Sequence, residues 1–170
     1  METETLNQTE SCLRFLPEAS GLPIKALDGK RILSDATDVF KKFISGSLLI
    51  RGLNNPGKST PATLIAGREI SGDATFIKMF DDFKRPLKEL LLTQDQICEF
   101  NKIYPGFLSK TDANFFLFRR DKDKPAIGDN LFVACVTVTA GGLIIQEEAY
   151  TDSFIWCGDR KLRVFVPMAA

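Results

Sequence analysis

The sequence predicts an α+β fold, with helices in the N-terminal two-thirds packed on a C-terminal antiparallel meander sheet of four or five strands. Three observations lead there. Helix-start and helix-stop residues concentrate between Ser34 and Ile103, β-branched and aromatic runs dominate after Thr111, and the turns between those runs are short enough to join consecutive strands antiparallel. The 170 residues, 44% of them hydrophobic and 26% charged, suit a single packed core over 13–170. Ahead of it, residues 1–12 form an acidic leader, expected to be mobile because it has too little apolar surface to offset its ordering entropy.

The elements follow in order. Ser34 and Asp35 can open a helix that runs to Ser45, with Val39, Phe40, Phe43 and Ile44 on its buried face and Gly46 at its end. Ser47–Arg51 is a short apolar run bounded by glycines, hence a buried strand. Thr63–Ile70, with Pro61 before it and Gly67 within it, favours a strand over a helix. Asp73 is placed to cap a helix over 75–85 carrying Phe76, Ile77, Phe80 and Phe83, which Pro86 ends or restarts. Thr93-Gln-Asp-Gln96 is a capping box, flanked by Leu92 and Ile97 as a hydrophobic staple, and it opens a helix over 94–103 that Tyr104-Pro105-Gly106 stops. The meander then comprises Asn114–Arg119, Leu131–Thr139, Leu143–Tyr150, Ser153–Cys157 and Leu162–Val166. The long polar connection Arg119–Asn130 is its most exposed loop.

Composition narrows the chemistry. Twenty-two basic and twenty-two acidic side chains cancel, so no overall field draws the chain to nucleic acid or to an anionic membrane. Locally the charge is uneven: residues 1–24 carry net −3 and residues 25–58 net +4. Histidine is absent, which removes the usual general base, the Ser-His and Cys-His pairs, and imidazole metal sites. Cys12, Cys98, Cys135 and Cys157 are widely spaced, with no Cys-x-x-Cys, and are expected to be buried thiols of a cytoplasmic protein. No apolar stretch approaches the ~20 residues of a membrane-spanning helix.

Gly52-Leu-Asn-Asn-Pro-Gly57-Lys58-Ser59 fits the pattern of a phosphate-binding loop. Gly52 and Gly57 would free amides for the phosphates, Lys58 would reach their oxygens, and Ser59 would hold magnesium. The competing reading is a plain turn between the strands Ser47–Arg51 and Thr63–Ile70. Arg51-Gly52, Ser59-Thr60 and Gln146-Glu147-Glu148 are similar, in chain order, to the Arg, Ser-Thr-Ser and Gln-x-Glu elements of ADP-ribosyltransferases, although Pro61 stands where the third residue of the triplet would be. Phe115-Phe-Leu-Phe-Arg-Arg120 sets aromatics beside bases, and its alternate phenylalanines are assigned to the core.

The favoured function is a non-catalytic protein-interaction module of the inhibitor, immunity or accessory type, without cofactor. It would act through a sheet edge or through the basic loop residues Arg119, Arg120, Lys122 and Lys124, and its partner would be another protein. The alternative is a magnesium–nucleotide-binding protein using Gly52, Gly57, Lys58 and Ser59, which requires a helix beginning at Lys58.

Overall fold

The computed structural model describes residues 11–43 and 55–169; residues 1–10, the expected strand Ser47–Arg51 and the end of the expected first helix lie outside the described residues. Strands and helices are interspersed along the chain, which overturns the expected segregation of helices from a C-terminal meander. The strands are β1 Leu13–Ile24, β2 Phe40–Phe43, β3 Thr63–Ile70, β4 Asn114–Arg119, β5 Leu131–Thr139, β6 Gly142–Ala149 and β7 Arg163–Pro167. They form one mixed sheet in the order β1-β3-β7-β4-β5-β6-β2. Its β7–β4 and β6–β2 pairs are parallel and its other pairs antiparallel.

Helices cover both faces. The helices are α1 Phe76–Asp81, α2 Leu87–Leu90 and α3 Gln94–Ile103. Alternation along β4 explains the layering, because its side chains from Asn114 to Phe118 are all buried, with Phe116 and Phe118 to one side and Phe115 and Leu117 to the other. On the first side, Phe116 stacks on Phe165 of β7 at 5.3 Å, and Phe100 of α3 packs 4.8 Å from Phe165. On the second, Phe76 of α1 meets Phe115 edge-on at 5.1 Å, with Met79, Phe80 and Leu90 beside it. Such ring pairs contribute ~0.5–1.5 kcal/mol each beyond the area they bury.

Three expectations are corrected. The segment expected to be a helix over 34–45 is a single 3-10 turn at Leu33–Asp35 followed by β2. Val39 and Phe40 are buried as expected, but Phe40–Phe43 pairs with Leu143–Ile145, so sheet hydrogen bonding at the β6 edge prevails over local helix signals. The expected helix over 75–85 is capped by Thr75 rather than Asp73, whose carboxylate instead accepts from the Gly158 amide at 2.7 Å. It stops at Asp81, passes through Lys84 at φ 55°, and restarts at Leu87 after Pro86. Ser153–Cys157 is not a ladder strand: Trp156 makes one antiparallel bridge with Ala74. Asp112 binds Arg160 Nε and the Lys161 amide, so the chain after Gly158 crosses to lay β7 parallel to β4 rather than folding back as a hairpin.

The α3 capping box forms as expected, with Thr93 Oγ1 accepting from the Gln96 amide and Gln96 Oε1 from the Thr93 amide. Leu92 and Ile97 are both buried in the cluster beneath. Glu69 of β3 is a buried carboxylate bound by Arg14 of β1 and Arg163 of β7, which ties three adjacent strands by charge as well as by backbone bonds.

A Cβ added at Gly67 would lie 2.7 Å from Phe165 Cε1 and 3.2 Å from Ala19 Cβ, against a ring already held by Phe116 and Phe100. Gly67→Ala is expected to cost about 1–3 kcal/mol of stability. The loss should appear as a lower urea midpoint at unchanged slope.

Candidate functional site

The site is organised by the first turn of α3. Gln94, Asp95 and Gln96 are polar yet buried, and each holds a neighbouring segment. Gln94 Oε1 accepts from the Leu33 amide at 3.0 Å while its Nε2 donates to Asn55 O at 3.1 Å. Asp95 Oδ2 accepts from the Gly29 amide at 3.0 Å, and Gln96 Nε2 donates to Thr63 Oγ1 at 3.3 Å. Burial pushes the Asp95 carboxyl up from its ordinary value against the opposing pull of the Gly29 amide.

Held this way, residues 57–60 run as a short ladder beside Leu27–Gly29. Leu27 and Thr60 exchange both backbone bonds, and the Gly57 amide donates to Gly29 O at 3.0 Å. Gly29 sits at φ 77°, and a Cβ there would fall 2.2 Å from the Lys58 carbonyl oxygen, so the left-handed backbone and the close approach both demand glycine. No helix begins at Lys58; the chain is extended through Thr60 and enters β3 at Thr63. Ser59 is exposed, and Gly52 lies outside the described residues.

The loop after β4 is built around Asn130. This buried side chain accepts from the Asp121 amide and donates to the carbonyls of Asp121 and Pro125, while Arg120 N donates to Asn130 O. Arg119 Nη1 reaches the Lys124 carbonyl at 3.3 Å, Lys124 pairs with Asp121, and Lys122 pairs with Asp123. An exposed connection is thus held in one shape by one buried amide.

These parts enclose a cleft of about 330 Å³. Gly57 and Lys58 line it from one side, Arg119, Arg120 and Lys122 from another, and Lys88 of α2 with Thr93, Gln94 and Gln96 from a third. Two groups singled out separately in the sequence therefore share one cavity. Ser59 and Lys124 do not line it; Lys88 carries no sequence signal because α2 is too short to announce itself, and Gln94 is legible in the capping segment as a helix start but not as a cleft residue. Five of the lining side chains are basic and one, Glu89, is acidic; Glu89 is itself 3.5 Å from Arg85. In a chain of zero net charge, that is a strong local excess.

Elsewhere the candidate chemistry is dispersed. Gln146, Glu147 and Glu148 lie on β6, with Glu147 buried and Gln146 Nε2 bonded to Glu148 Oε1 at 2.9 Å, while Arg51 is outside the described residues. Among the described residues, no group of three or more Cys, Asp or Glu side chains is arranged to hold a metal ion. Nor is any helix among them long and apolar enough to cross a membrane. Burial pushes the Cys98 thiol up to about 12, and burial with the adjacent Asp82 carboxylate does the same for Cys12. Cys135 is likewise raised by burial, whereas Cys157, expected to be buried, is exposed. No family model, curated protein or solved structure matches this chain.

Two outcomes follow from this geometry. Gly29→Ala is expected to lose more than the roughly 1–2 kcal/mol of a left-handed non-glycine residue, because it also displaces Lys58, and a drop in thermal midpoint would register it. A thiol reagent at pH 8 should modify one cysteine per native chain, Cys157, and all four in denaturant. Mass spectrometry of the labelled peptides checks the assignment.

Proposed function

We propose that the chain is a small non-catalytic interaction module that holds an acidic segment of a partner protein in the cleft between Lys58 and Arg119. The observation that carries this reading is the concentration of Lys58, Lys88, Arg119, Arg120 and Lys122 around one cavity, opposed there only by Glu89 among the lining residues. Each support is fixed before a ligand arrives: Gly29 and Asp95 fix the Lys58 strand, Asn130 fixes the arginine loop, and the capping box fixes α3. Preorganised cations lose little freedom on binding and speed encounter with an acidic partner. A reducing, cytoplasmic setting belongs to the same reading, supported by four free thiols.

Magnesium–nucleotide binding at Gly57, Lys58 and Ser59 has less support. The Gly57 amide that would cradle a phosphate is already bonded to Gly29, and Ser59 is not among the residues that line the cleft.

A fluorescein-labelled hexaglutamate peptide should bind the wild-type chain with an affinity that falls as salt rises. The double variant Lys58→Glu, Lys122→Glu, both residues exposed, should bind at least about tenfold more weakly, equivalent to about 1.4 kcal/mol. Fluorescence anisotropy makes the measurement. Equal binding by both proteins would overturn the assignment of the cleft, as would a peptide that does not bind while Mg-ATP raises the thermal midpoint.

A further inference from the structure

A second cavity, of about 220 Å³, has the opposite character. It is lined by Phe76, Phe154 and Trp156 together with the carboxylates Glu148 and Asp152, and no basic side chain is among the described residues that line it. Phe154 and Trp156 stand nearly perpendicular, 70° apart with centroids at 4.8 Å, and Phe76 closes a third side 5.6 Å from the indole. We propose that this pocket binds a methylated ammonium group, the headgroup of a quaternary amine or of a trimethylated lysine.

The chemistry is that of a cation against ring faces. Aromatic quadrupoles present negative faces to a cation within about 6 Å, and a methylated ammonium keeps its charge while giving up little hydration. The indole already shows this preference: the Arg160 guanidinium lies 5.8 Å from its centroid, tethered outside the lining by Asp112. The carboxylates of Glu148 and Asp152 in the lining add charge complementarity that a purely apolar ligand would not use. Glu148 is oriented by Gln146, and Asp152 Oδ1 accepts from the Phe154 amide at 2.8 Å, which sets the exposed ring's backbone.

The pocket is also preformed. Trp156 and Ala74 exchange two backbone bonds, at 2.9 and 3.1 Å, and Gly158 packs so closely on Gly72 that a Cβ there would fall 2.4 Å from its carbonyl carbon. Phe115 of β4 braces the indole from beneath at 4.9 Å. Phe154, by contrast, is 56% exposed, an arrangement with little to recommend it for packing alone but suited to a wall that a ligand completes.

The chain has one tryptophan, so its emission reports this pocket alone. Titration of the intact protein with choline, and with a short peptide bearing one trimethyl-lysine, should give a saturable change in Trp156 fluorescence. Sodium chloride and 3,3-dimethylbutanol, the neutral carbon analogue of choline, should not. Phe154→Ala and Asp152→Asn should each weaken binding about three- to thirtyfold. Tighter binding by the peptide than by choline would support the assignment and name a modified protein as the source; tighter binding by choline would support it and name a free amine. Absence of a saturable change, an equal response to dimethylbutanol, or unaltered affinity in both variants would overturn it. Lys58→Glu, Lys122→Glu should leave this titration unchanged, which separates it from the basic cleft.

Discussion

β4 admits water on neither face from Asn114 to Phe118, and that constraint orders the molecule around it. A strand with phenylalanine on both sides must lie at the middle of a sheet with a helical layer above and below, because any exposed face would leave large apolar rings in solvent. α3 provides one layer through Phe100, and α1 the other through Phe76. Only Asn114 among these residues is polar, and its side chain satisfies itself against Ser109 and Val136, so the strand enters the core without an orphaned amide.

The polar first turn of α3 has a comparable reach for the surface. Gln94, Asp95 and Gln96 terminate the helix dipole and also fasten Leu33, Gly29, Asn55 and Thr63. Three consecutive side chains thereby convert separate loops into one rigid wall. The cleft owes its basic character to what those loops carry, but it owes its shape to buried hydrogen bonds. Charge can therefore be altered at Lys58 or Lys122 without dismantling the wall, whereas altering Asp95 or Asn130 would loosen it.

How much of this is legible in the sequence varies with the range of the interaction. The capping box at Thr93–Gln96, the strand Thr63–Ile70 and the runs Asn114–Arg119 and Leu131–Thr139 announce themselves locally, and all are formed. In the run Leu162–Val166, Leu162, Val164 and Val166 alternate with Phe165, and the structure puts the two sets in different core clusters. What misleads is competition from distant partners. Phe40 and Phe43 fit a helical stripe, yet the β6 edge recruits them; Ser153–Cys157 has strand composition, yet the Trp156–Ala74 bridge holds it against the segment before α1, and Asp73 fixes Gly158 just after it. For the site, the residue types at Gly57–Lys58 and Arg119–Lys122 are visible, while their convergence depends on the bridge of Leu92 to Phe118, which brings the end of β4 to the start of α3, and on Gln94 and Gln96, which bind Asn55 and Thr63 on either side of Lys58. The aromatic pocket is not legible for the same reason, since Phe76 is far along the chain from the segment Glu148–Trp156 that supplies the rest of its lining.

The placement of β7 carries a consequence for how the chain comes to be assembled. Without it the sheet falls into two pieces, β1 with β3 and β4-β5-β6 with β2, for β7 alone bridges β3 and β4. A nascent chain emerging from the ribosome can pair strands within each piece, but the seam between them stays open until residue 167 has been released. Until then the inner edges of β3 and β4 offer unpaired backbone to any neighbouring strand, and β4 also bares the phenylalanines that β7 later covers, so that interval is the one most open to mispairing.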